Sequence, residues 1–150
     1  MNRIHRATAA DLNDARHLLH EYFDAINVVL RDDDDAIRAF LNDASSAMWI
    51  AYVNHPPAAC VAMRPLAEVP GATECKRLYV KPDYRRLGLA DALMDALETH
   101  AAQAGHDAVY LDTKDDLIGA IKLYDRLGYE RCARYNDNPQ ATIFMRKRLR

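Results

Sequence analysis

Arg85, Arg86, Gly88 and Ala90 stand within six residues of one another, between a strand-like segment that ends at Val80 and a helical pattern that begins at Leu89. That order of residue types suits one chemistry. The first turn of a helix leaves backbone N–H groups unpaired and carries partial positive charge, so it receives an anion well. Gly88 and the small Ala90 let the main chain approach a diphosphate closely. The two arginines add charge and fork-shaped donors. A solvated arginine pair beside a helix cap is the plainer alternative. No GxxxxGK[ST] occurs and no GxGxxG follows a strand pattern, which argues against a P-loop nucleotidase and a dinucleotide oxidoreductase.

Other groupings of reactive residues carry less. His17, His20 and Asp24 share the polar side of a helical pattern at metal-compatible spacing, but no further ligand cluster joins them, and no metal is expected. The acids of RDDDD (31–35) read as N-cap and first-turn charges favoured by the helix dipole. Cys60, Cys75 and Cys132 are odd in number and lack a CxxC, which fits a reduced, cytoplasmic protein using cysteine as a small hydrophobe. The basic RKRLR at the C-terminus reads as a strand running into a charged tail.

The elements that must position these residues follow from periodicity. The 150 residues fit a single domain, 1–150, half hydrophobic and 28% charged. A net charge of −2 argues against an extended nucleic-acid surface; no secretory leader and no membrane-spanning run is read. A short strand over 3–7 precedes a helix capped by Asp11, with a stripe of Leu12, Ala15, Leu19, Tyr22, Phe23 and Ile26. A second helix buries Ile37, Phe40 and Leu41. Strands over 48–53 and 58–63 flank NHPP, and a stronger strand covers 73–80. A helix from Leu89 stops at Gly105, a strand covers 108–113, and a helix over 117–127 is closed by Gly128. Strands over 129–134 and 142–147 end the chain. The order β-α-α-β-β-β-α-β-α-β-β predicts an α/β (α+β) fold, a mixed sheet with helices packed on it.

The run ECKRLYVKPDYRRLGLADALMDAL, then VYLDT, then AIKLYDRLGYE, resembles the GNAT superfamily of acyl-CoA-dependent N-acetyltransferases. The family signature [QR]xxGx[GA] appears as Arg85, Gly88 and Ala90, with LYVKPDY before it and AIKLYDRLGY after it at the expected distance. The resemblance implies a mostly antiparallel sheet whose central strands splay to grip acetyl-CoA. It implies that the Arg85, Arg86, Leu87, Gly88, Leu89 and Ala90 segment holds the pyrophosphate. The main chain of Leu78, Tyr79 and Val80 would pair with the pantetheine arm as an added strand. Tyr124 falls on the tyrosine that family members often use as general acid, and Glu74 on a catalytic glutamate of the histone-acetylating branch. Two positions depart from the pattern: Arg86 stands where many members have glycine, and Leu117 where an asparagine often contacts the cofactor.

The implied reaction sets clear demands. An alkyl ammonium near pKa 10.4 must lose its proton before it attacks a thioester, and Glu74, acting through a water, is the best-placed carboxylate, with Glu68 and His55 in reserve. The leaving thiolate, with a parent pKa near 8.5, needs a proton that Tyr124 can give. Transfer is expected to be direct, in a ternary complex, with Cys75 a buried strand residue and not a nucleophile. The acceptor is a primary amine of a small molecule or peptide. The alternative is a non-catalytic acyl-CoA-binding regulatory module. No metal and no nucleic-acid or membrane partner is expected, and dimerisation through a sheet edge or the last strands is common in the family that the chain resembles.

Overall fold

The computed structural model describes residues 2–28 and 31–149. The strands are β1 (Asn2–Arg6), β2 (Ala47–Val53), β3 (Pro57–Pro65), β4 (Ala72–Val80), β5 (Ala108–Thr113), β6 (Glu130–Arg131) and β7 (Ile143–Arg148). The helices are α1 (Leu12–Ile26), α2 (Asp34–Asn42), α3 (Leu89–Gln103) and α4 (Ile118–Arg126), with 3-10 turns at Ala9–Asp11 and Pro82–Tyr84. The strands form one seven-stranded sheet in the order β1-β2-β3-β4-β5-β7-β6. Only β4 and β5 run parallel; the remaining pairs are antiparallel. The mixed, mostly antiparallel sheet expected from the sequence is therefore the sheet observed. Among the described residues no helix is long and apolar enough to cross a membrane.

Period-two alternation along the strands divides the core into two layers. Ala47, Trp49 and Ala51 of β2 face α3 and join Leu93, Met94, Leu97 and Leu123. Met48, Ile50 and Tyr52 face the other way, onto Leu18, Leu19 and Phe23 of α1 and Ile37 and Phe40 of α2. α3 and α4 thus cover one face of the sheet and α1 and α2 the other.

Several local boundaries differ from the sequence-based expectation for identifiable reasons. Asp11 does not cap α1. Its carboxylate turns back to accept from the Thr8 N–H at 2.8 Å, while Thr8 Oγ1 accepts from Ala10 N, so Thr8 caps a 3-10 turn that leads into α1. Asp33 does cap α2, accepting from Ala36 N at 2.9 Å. The acids around it are not all solvated: Asp34 pairs with Arg16, and Asp32 is mostly buried against Arg77. The expected 129–134 strand shortens to Glu130–Arg131 because Arg134 instead binds the carbonyls of Asn136, Asn138 and Ala141, which winds 132–142 into a loop. The last strand, expected over 142–147, is observed as β7, where Arg146 and Lys147 pair with Glu130 and Glu98.

Candidate functional site

Two departures from regular pairing create the site. β4 pairs with β5 only over Ala72–Glu74, so beyond Glu74 the two parallel strands separate. On its other side β4 carries a bulge: between Cys60↔Tyr79 and Ala62↔Lys76, Val61 of β3 opposes both Arg77 and Leu78. Arg77 occupies the left-handed region at φ 62°. The extra residue places two consecutive side chains, Lys76 and Arg77, on the α1 face, after which Leu78 and Val80 return to the α3 face and Tyr79 to the α1 face. From Cys75 to Val80, the edge of β4 turned toward β5 has no strand partner among the described residues.

That open edge leads directly into the arginine loop. Gly88 sits at φ 77° as the N-cap of α3, and no side chain caps the helix there. A Cβ placed on Gly88 would meet nothing within 4 Å, so the space beside Gly88 at the start of the helix is open. Uncapped N–H groups, helix dipole and open space fit a phosphate group. Arg85 is exposed and its Nε donates to the Val80 carbonyl at 3.2 Å, which ties the loop to the end of β4. Arg86 is exposed and at φ 66°, a backbone that favours glycine. Leu87 is half exposed, Leu89 is buried and Ala90 partly buried at the start of the helix.

Where β4 and β5 part, a cavity of about 600 Å³ opens on the α1 face. This is the size of a small-ligand site. Tyr22 and Phe23 of α1, Pro65 and the 66–68 segment after β3, Asp112 of β5 and Lys114 just after it, and the 136–141 loop enclose it. Through the gap between the strands it reaches Leu78, Leu117, Ala120 and Tyr124. Glu68 lines it as well, whereas His55 lies in the exposed turn between β2 and β3 and does not.

The cavity floor is a network of buried charge. Glu74 is 2% exposed. Its Oε1 accepts from Arg64 Nε at 2.9 Å, and its Oε2 accepts from Tyr135 OH at 2.7 Å and Asn136 Nδ2 at 3.1 Å, with Lys76 Nζ at 3.4 Å. Asp112 Oδ2 accepts from Lys76 Nζ at 2.8 Å, Asn136 Nδ2 at 2.7 Å and Asn138 Nδ2 at 3.4 Å. Burial by itself would push the Asp112 carboxyl up; the Lys76 ammonium and the three donors more than offset this and hold it below the usual carboxylate value. Burial and the neighbouring Glu74 carboxylate push the Tyr135 phenol upward, so it remains a donor to Glu74.

Tyr124 is buried on α4, edge-on to Tyr129 with ring centroids 5.8 Å apart, and lines the cavity. Burial is the main reason its phenol is held well above its ordinary value, with Cys75, Tyr22 and Asp112 adding to the effect. Cys75 lies on the α3 side, its Sγ 3.8 Å from Met94 Sδ, and burial pushes its thiol far up. Burial that holds a thiol protonated makes it a poor nucleophile.

Tyr135, Asn136 and Asn138 were not legible as site residues in the sequence, since YNDNP reads as turn chemistry. The unusual density of amide and carboxylate side chains in that turn was the available signal.

The chain matches the Acetyltransferase (GNAT) family over residues 12–129. It is 31% identical over 143 residues to an uncharacterized N-acetyltransferase of Schizosaccharomyces pombe, covering 91% of this chain and 87% of that one. It spans about half the length of rat N-acetyltransferase 8B, 48%, at 28% identity over 107 residues. Its fold is that of a GNAT-family acetyltransferase from Staphylococcus aureus Mu50, with a TM-score of 0.87 at 17% identity over 100% of both chains. It is also that of the PaiA N-acetyltransferase from Thermoplasma acidophilum, solved in complex with coenzyme A, with a TM-score of 0.78 at 13% identity over 99% of both chains. The splayed sheet, the uncapped helix and these relatives agree: the chain belongs to the GNAT acetyltransferase family.

Proposed function

We propose that this protein is an N-acetyltransferase that moves acetyl from acetyl-CoA to a primary amine of a small molecule or peptide, by direct attack in a ternary complex. The observation that carries the reading is the continuity of the open β4 edge, which runs from the uncapped start of α3 to the carboxylate-floored cavity. Arg85, Arg86 and the backbone from Leu87 to Ala90 hold the pyrophosphate. The main chain of Leu78, Tyr79 and Val80 pairs with the pantetheine arm as an extra strand would, and one of its amides polarises the thioester carbonyl.

The acceptor enters from the α1 face. Its ammonium gives a proton, through a water, to Glu74, whose Oε1 accepts from Arg64 Nε alone among the described residues and so keeps a lone pair for that water. The freed amine nitrogen, still carrying two hydrogens, forms a bond to the thioester carbon; the C–S bond breaks, the thiolate takes the proton of Tyr124, and the second proton released by the nitrogen as the amide forms returns to the Tyr124 oxygen. The burial that opposes a Tyr124 phenolate opposes an unprotonated thiolate in the same place, so proton transfer between them remains feasible. Cys75 takes no part.

The first test is thiol release from acetyl-CoA across amino acids, polyamines, aminoglycosides and short peptides, run beside calorimetric titration of acetyl-CoA. Release with one amine class names the acceptor. Acetyl-CoA binding with no release from any amine or peptide favours a non-catalytic acyl-CoA-binding module, and absence of binding sinks the reading.

A further inference from the structure

Lys76 occupies an unusual place for a lysine: it is 6% exposed, and its Nζ lies 2.8 Å from Asp112 Oδ2 and 3.4 Å from Glu74 Oε2. Those two oxygens also share the single nitrogen Asn136 Nδ2, at 2.7 and 3.1 Å, so the carboxylates stand side by side. Two carboxylates that close, in a buried site, do not both stay ionised unless a cation compensates them; one of the pair would hold a proton instead. Arg64 does not fill that role for both. It is partly exposed and, among the described residues, its side chain bonds Glu74 alone. Arg77, the next residue, is committed to Asp32. The bulge in β4 allows both cations to face the same side, Lys76 toward Glu74 and Asp112 and Arg77 toward Asp32.

We propose that Lys76 is a positioning residue for the transfer reaction: its ammonium, seated between Glu74 and Asp112, keeps both carboxylates ionised so that the pair accepts the acceptor's proton across the neutral range. This rests on the acetyltransferase reading given above. The other titratable groups facing the pair are Arg64 from β3, Tyr22 from α1, Tyr124 from α4, Lys114 after β5, and Glu68, Tyr135 and Asp137 from the loops. None of these, among the described residues, bridges the two carboxylates as Lys76 does. Lys76 is not itself the acceptor or the base. Its effect reaches the reaction through the charge state of its neighbours.

The test pairs a readout that needs no activity with one that does. Side-chain carboxyl carbons of Glu74 and Asp112 are titrated by NMR in the full chain, and the pH dependence of kcat/KM is measured with the amine found above. Lys76→Met is expected to raise the titration of the pair and to move the acid limb of kcat/KM upward by about one pH unit or more, a roughly tenfold loss on that limb. Lys76→Arg is expected to restore most of the shift. The double variant Lys76→Met/Asp112→Asn, which removes one carboxylate along with the cation, is expected to return the limb toward its original position. If Lys76→Met is too unstable to titrate while the double variant folds, the same charge imbalance is being read as stability, and the proposal stands. A folded Lys76→Met with unshifted carboxyl titration overturns it, as does failure of both variants to fold. Shifted carboxyls with an unmoved acid limb overturn the role in the reaction. If the unmodified chain turns over no amine, the acetyltransferase reading fails by itself, and with it any role of Lys76 in transfer; the NMR titration then decides charge compensation alone.

Discussion

The guanidinium of Arg77 meets the carboxylate of Asp32 through two hydrogen bonds, Nε to Oδ2 at 2.8 Å and an Nη to Oδ1 at 3.0 Å, across 45 residues of chain. Both side chains are largely buried, and Arg77 also lies over the Phe23 ring, its Cζ 5.4 Å from the centroid. One partner sits on the β4 bulge and the other on the segment between α1 and α2. The pair therefore fastens the helical cover of the cavity to the strand that opens the sheet.

Asp32→Ala leaves the Arg77 charge buried and unpaired, and is expected to cost roughly 2–4 kcal/mol of stability by urea unfolding. The acceptor KM is expected to rise more than that of acetyl-CoA, because the loosened segment borders the α1 face. An unfolding midpoint unchanged from the parent chain would show that the pair adds nothing.

The arginine loop separates a backbone requirement from a charge requirement. Gly88→Ala forces an L residue to φ 77° and is expected to cost about 1–2 kcal/mol, besides placing a methyl in the open space over α3. Arg86→Gly relieves a left-handed arginine and is expected to raise stability by up to about 1 kcal/mol while weakening acetyl-CoA binding through the lost charge. Thermal melts and calorimetric titration of both variants check the two signs. The left-handed backbone at Arg86 also gives a physical reason for the glycine that many family members carry at this position.

Much of this architecture was legible in the sequence, and what was missed has a common cause. Periodicity alone located β5 at 108–113, and Gly105 and Gly128 marked the ends of α3 and α4, because these are local properties of strand alternation and helix termination. The placement of Arg85, Gly88 and Ala90 at a strand-to-helix junction was legible for the same reason. The bulge at Arg77 was not, since a positive φ in a strand is imposed by pairing with β3 and by Asp32, 45 residues away. The convergence of Asn136 on Glu74 and Asp112 was equally hidden, because it depends on Arg134 winding the loop around three carbonyls. Thr8 displaced Asp11 as cap through a capping box with Asp11 itself, an arrangement whose Thr-x-x-Asp spacing is present in the sequence.

Tyr124 offers a cleaner separation of chemistry from folding. Among the described residues its hydroxyl has no hydrogen-bond partner, while its ring packs on Tyr129. Tyr124→Phe keeps the ring and is expected to leave stability and acetyl-CoA affinity close to those of the parent, with kcat lower on the order of 100-fold. Equal kcat values for the two proteins would remove Tyr124 from the proton path.

Asp112 makes acid stability a direct probe of the cavity floor. Its folded carboxyl titrates below the ordinary value because Lys76, Asn136 and Asn138 favour the ionised form more strongly than burial opposes it. A depressed folded pKa means that the unfolded chain binds the proton more readily, so this contribution is complete above the unfolded value of about 3.9 and lost as pH falls through the lower folded value. The stability gap between the parent chain and Asp112→Asn is therefore expected to be constant from pH 7 to about 5 and to narrow as pH drops through the ordinary carboxylate range. Urea unfolding of both proteins at half-unit pH steps measures it. A gap that widens on acidification would mean that burial wins over the Lys76 ammonium, and that the carboxylate is held at the cost of the fold rather than by its partners.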